Sequence, residues 1–98
     1  MNINIEKENG VTVIKIEGRL DTTTAPELEN AINAEGDALK SLVLDFKGVD
    51  YISSAGLRVL LTAQKKMNAQ GYMELINVGE TVMDVFEMTG FADILVIK

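Results

Sequence analysis

The feature that most constrains this chain is a change of hydrophobic period near its middle. At residues 42–46 the side chains are apolar except at Asp45, while further on Leu60 and Leu61 follow Leu57 by three and four positions and Met67 follows Leu60 by seven, a helical spacing. A short run with almost no polar position reads as a central strand with both faces covered, and the spacing that follows predicts a helix over 55–69. The two are joined by a short turn and by the paired serines Ser53 and Ser54. Lys65 and Lys66 lie toward the end of that helix, where cations suit the dipole, and Gly71 stops it. Residues 73–78 read as the next strand. A strand, a crossover helix and a second strand imply a right-handed parallel connection.

The flanking segments extend this pattern into a layered α/β domain over 1–98. Ile3 and Ile5 alternate with polar neighbours as in a half-buried strand, and Asn9-Gly10 is a strong hairpin signal before the β-rich run 11–16. The segment Gly18-Arg19-Leu20-Asp21 is expected to leave that strand and enter a threonine-rich turn. Thr24 followed by Glu27 predicts a capping box, with Pro26 in the first turn of a helix that buries Leu28, Ala31 and Ile32 and stops near Gly36. A last helix over 81–89 turns Val82, Val85 and Phe86 inward, Gly90 caps it, and Phe91 folds back onto Phe86. Residues 94–97 offer an edge strand. The fold class is therefore α/β, a mixed sheet of four to five strands with helices packed on it.

Composition removes several kinds of chemistry. The chain has 98 residues, enough for one core without staples. It contains no cysteine, hence no disulfide or thiolate site, and no histidine, hence no histidine base or phosphohistidine. A net charge of −6 disfavours nucleic-acid backbones and anionic membranes as partners. No apolar run resembles a signal peptide or a membrane span, so a cytoplasmic location is expected. A P-loop, a Rossmann glycine pattern and a G-x-S-x-G elbow are all absent, and neither an enzyme nor a cofactor is expected. Asp45 and Asp50 lack a third ligand and read as turn residues rather than a metal pair. Met67, Met73, Met83 and Met88 read as core filler.

The serines stand where a helix begins, and free backbone N–H groups there accept a serine oxygen or a phosphate. On residue chemistry alone Ser54 reads as a helix cap. Ser53 can equally be the cap, leaving Ser54 as the first helical residue. Asp21 reads as a turn residue whose carboxylate bonds local backbone, and Gly56 as a site of close backbone approach.

Three segments carry a family resemblance: Ile52-Ser53-Ser54-Ala55-Gly56-Leu57-Arg58, the upstream Gly18-Arg19-Leu20-Asp21 followed by Thr22-Thr23-Thr24-Ala25, and the downstream 85–91. Together they resemble, in order and across essentially the whole chain, STAS domains of the bacterial anti-sigma-factor antagonists. The resemblance implies a binding protein switched by phosphorylation at the position of Ser54. It implies a partner-binding surface drawn from Asp21, Thr22, Thr23, Ser53, Ala55, Gly56, Leu57 and Arg58. The implied partners are an anti-sigma factor that is itself a serine kinase, and a metal-dependent serine phosphatase. Ser53 stands where many relatives carry Asp, Ala55 where they carry a second hydroxyl, and Arg58 where they carry Gly. The alternative is a structural STAS subunit of a transport or signalling assembly without a phosphoswitch.

Overall fold

The computed structural model describes every residue from Met1 to Lys98. Strands β1 (Asn2–Glu8) and β2 (Val11–Leu20) form the antiparallel hairpin that Asn9-Gly10 predicts. Asn9 and Gly10 have φ of 53° and 80°, the consecutive left-handed residues that a tight two-residue turn demands. Helix α1 (Ala25–Ala34) returns the chain so that β3 (Ser41–Ile52) pairs parallel with β2. Helix α2 (Ser54–Gln70) does the same between β3 and β4 (Tyr72–Ile76), and α3 (Glu80–Thr89) follows. The sheet is mixed, in the order β1-β2-β3-β4. No helix is long and apolar enough to cross a membrane.

One face of this sheet carries the core. Ile14 and Ile16 of β2, Leu42, Leu44 and Phe46 of β3, and Met73 and Leu75 of β4 are fully buried beneath the helices. Their neighbours Val13, Val43, Asp45 and Ile76 are only half-buried, because all three helices lie on the same side. The expectation that the central strand is covered on both faces is therefore corrected. Val43 points outward, and its apolar side chain hides the period-two alternation.

Both inner strands are longer than their sequences suggest. β3 continues to Ile52 rather than ending near Phe46, and β2 keeps Gly18, Arg19 and Leu20 rather than leaving at Gly18. The register passes from Lys15↔Asp45 to Glu17↔Gly48, then from Gly18↔Val49 to Arg19↔Tyr51, so β3 carries one extra residue at each step. These are β-bulges, and the glycine and polar residues that form them look like a turn in the sequence. β1 is also less buried than expected: Ile5 is 39% exposed, because no helix reaches over this edge.

The helix ends differ in detail. Thr24 forms no capping box. Its hydroxyl instead accepts from the Asp21 N–H at 2.8 Å and donates to the Arg19 carbonyl at 2.6 Å. Gly90 is left-handed, with φ of 81°, and ends α3 as predicted. Phe86 faces Phe46, with ring centroids 6.4 Å apart at 49°, and Phe91 packs as a partly buried residue against the core to which Phe86 belongs. Met67 and Met73 are core residues and Met83 packs against the core, but Met88 is 86% exposed and is no core filler. The helical period that buries Val82 and Phe86 carries Met88 to the outer side of α3. Residues 94–97 add no full strand. A single parallel bridge joins Leu75 to Ile97, with Leu75 N–H donating to the Val96 carbonyl at 2.8 Å.

Phe86→Ala removes a ring from the centre of the core and should cost about 3–5 kcal/mol in urea unfolding. Met88→Ala, two residues later on the exposed side, should change stability by less than about 0.5 kcal/mol.

Candidate functional site

The predicted site residues gather at one end of the sheet, where β2 and β3 finish side by side. Ser53 is extended (φ −101°, ψ 175°), and its Oγ accepts from the Gly56 N–H at 3.4 Å, making it the cap of α2. Ser54 is the first helical residue, exposed, and its hydroxyl has no hydrogen-bond partner within the chain. The reading of Ser54 as the cap is thus replaced by the other one the sequence left open. The Ser53 N–H donates to the Leu20 carbonyl at 2.9 Å, which ties the helix start to the end of β2. Gly56 lies against the same point. A Cβ there would fall 2.8 Å from Ile52 Cγ1 and 2.9 Å from both Leu20 Cγ and the Leu20 carbonyl oxygen, closer than packed atoms approach.

Asp21 follows Leu20 directly and organises the adjoining loop. Its Oδ1 accepts from Thr23 N–H at 3.0 Å, Thr23 Oγ1 at 2.9 Å and Thr24 N–H at 3.1 Å. These donors, the Thr23 hydroxyl first and the Thr24 amide next, hold its carboxyl down at about 2 against an ordinary 3.8. The predicted turn role is therefore observed. Thr22 and Thr23 project beside it and are exposed, as is Arg58 on α2. Ala55 is half-buried, whereas Gly56 and Leu57 are buried and support this surface from beneath. Asp45 is engaged locally, its Oδ1 accepting from the Lys47 N–H and from Asn77 Nδ2, each at 3.0 Å.

Two neighbours escaped the sequence reading. Arg19 lays its guanidinium over the Tyr51 ring, 4.0 Å from the centroid, while its Nε stands 3.7 Å from Asp21 Oδ2. Nothing in the sequence pairs residues 19 and 51. Their alignment depends on both bulges in β3, which shift the register by a residue each.

Residues 2–98 match the STAS domain. Over 96 residues the chain is 35% identical to BtrV of Bordetella bronchiseptica, described as an anti-sigma factor antagonist, covering 96% of this chain and 83% of that one. The chain belongs to the STAS-domain family of anti-sigma-factor antagonists. Among solved STAS-fold structures, one from Thermotoga maritima, also described as an anti-sigma factor antagonist, superposes with a TM-score of 0.90 at 19% identity, covering 97% of this chain and 84% of that one. The Bacillus cell fate determinant SpoIIAA, in its phosphorylated form, superposes with a TM-score of 0.77 at 20% identity, covering 99% and 91%. At those identities the two structures speak for the STAS fold itself.

Asp21 has a lowered carboxyl pKa, so its loop bonds stabilise the folded state above the ordinary value of 3.8 and lose that effect as pH falls through about 2. Asp21→Asn should therefore melt below wild type at pH 7, and the gap should close in acid. Carboxyl carbon NMR titration should place the Asp21 midpoint near 2, and a midpoint near 3.8 would contradict the hydrogen-bond pattern.

Proposed function

We propose that this protein is an anti-sigma-factor antagonist acting by binding rather than catalysis, with Ser54 as its phosphorylation switch. Unphosphorylated, it binds an anti-sigma factor that is itself a serine kinase, and so frees a sigma factor in the cytoplasm. The kinase modifies Ser54 and breaks the complex, and a serine phosphatase restores it. The observation that carries this reading is the division of labour between the serines: Ser53 caps the helix, and Ser54, exposed beside the Asp21 loop, has a hydroxyl engaged by nothing. Family membership supports the partner class, and Asp21, Thr22, Thr23 and Ser53 together with Ala55 and Arg58 supply the surface around the acceptor.

Electrostatics supply the mechanism. A phosphate brings roughly 1.5–2 negative charges. It arrives at the helix start that is tied to Leu20, next to Asp21, in a chain already at −6. A partner surface fitted to the uncharged hydroxyl meets like-charge repulsion and a desolvation cost when it closes on the phosphate. The helix start accommodates that phosphate without rearrangement, since its first N–H groups lack intrahelical acceptors. Binding changes while the fold does not.

Ser54→Ala removes the acceptor but no cap, so its stability should stay within about 0.5 kcal/mol of wild type. It should bind the anti-sigma factor constitutively in the presence of ATP. Ser54→Asp should bind at least about tenfold more weakly, a difference of ~1.4 kcal/mol, with unchanged circular dichroism. Equal affinities by calorimetry would leave a structural STAS subunit as the better reading. Phosphosite mapping after incubation with the kinase and ATP should find the phosphate on Ser54, and its appearance on Ser53 alone would refute the assignment.

A further inference from the structure

The chain contains two arginines, Arg19 and Arg58, and the fold brings both to the end of the sheet that holds Ser54. Their circumstances differ. Arg19 is committed, stacked on Tyr51 and paired with Asp21. Arg58 is exposed and takes part in none of the ion pairs, which join Lys7 to Glu35, Lys15 to Glu6 and Arg19 to Asp21. The first turn of α2 contains no acidic residue that would hold it.

We propose, resting on Ser54 as the phosphate acceptor, that Arg58 receives the phosphate of modified Ser54 within the same molecule. Ser54 and Arg58 are separated by one turn of the uninterrupted helix α2. Residues four apart on a helix have Cβ atoms about 5–6 Å from one another. Helical side chains lean toward the N-terminus, so the Arg58 guanidinium sweeps back over the first turn. Its planar fork offers paired N–H donors that match two phosphate oxygens. Asp21 does not compete for Arg58, since its Oδ1 is engaged by the threonines and its Oδ2 faces Arg19. Lys65 and Lys66 lie about two turns further along α2, leaving Arg58 as the cation nearest to Ser54 on this helix.

The pairing gives phosphorylation a double effect on the partner-facing end. It adds negative charge, and it withdraws the one arginine free to meet an acidic group on the partner. A bare Ser54 leaves Arg58 available, whereas a phosphorylated Ser54 occupies it.

The test uses full-length protein carrying phosphoserine at position 54 installed by genetic encoding, which removes any need for the kinase. Wild type, Arg58→Ala and Arg58→Lys are compared with and without the phosphate by thermal unfolding. Before modification all three should melt together, because Arg58 has no partner. Phosphorylation should raise the melting temperature of wild type by about 2–5 °C more than that of Arg58→Ala. Arg58→Lys should keep part of the excess as a point charge, and ~0.5 M salt should erase much of it. The Nε–H resonance of Arg58 should move on phosphorylation while that of Arg19 stays in place. Equal melting increments in wild type and Arg58→Ala, with an unmoved Arg58 Nε–H resonance, overturn the proposal. Affinity for the anti-sigma factor separates this result from the switch itself: a phosphorylated wild type that still binds tightly sinks the switch, whatever Arg58 does.

Discussion

The start of α2 rests on the ends of β2 and β3 through a contact that leaves no room for a Cβ. Gly56 meets Leu20 and Ile52 at distances that a side chain would make impossible, and the adjacent Ser53 N–H closes onto the Leu20 carbonyl. From this junction the positions of the functional groups follow. Ser53 is turned into the cap, Ser54 becomes the first exposed residue of the helix, and Asp21 leaves β2 immediately beside them. Because Leu20, Ile52 and Leu60 belong to the same buried core, the surface serine is anchored to the interior by a very short path. The phosphate proposed for Ser54 would therefore sit on a rigid platform, where its effect would be felt by whatever docks rather than by the fold.

Charge is distributed around that platform with little redundancy. Asp21 spends its carboxylate on its own loop and on Arg19, and its low pKa keeps it ionised throughout the physiological range. The loop that carries Thr22 and Thr23 is consequently held open-handed, its threonines displayed by bonds that do not depend on a partner. Preorganisation of this kind lowers the ordering cost of association. It also means that a change at Asp21 would disturb the loop and the acidity of the surface together.

Much of this was legible in the sequence, for identifiable reasons. Asn9-Gly10 specifies a two-residue hairpin, Gly90 a left-handed cap, and the leucines from Leu57 onward a helix, because each signal is local. What escaped depends on register or on a third element. The full length of β3 was hidden because Lys47, Gly48 and Asp50 form bulges from the same residue types that make turns. Thr24 carries a capping-box pattern, yet its hydroxyl finds better partners in Asp21 and Arg19, which a linear motif does not place nearby. Met88 looks like its buried counterparts until the packing of α3 decides which side is covered. The stacking of Arg19 on Tyr51 follows only from strand alignment.

The two bulges in β3 have a further consequence for how this site can change. Each inserts one residue opposite β2. Each extra residue is set aside by its bulge, so the pairing with β2 holds Tyr51 outside opposite Arg19 and Ile52 inside opposite Leu20. The bulges are therefore where this strand can change length: losing the extra residue of one would remove that bulge and leave the tyrosine, the isoleucine and the serines that follow on their present sides.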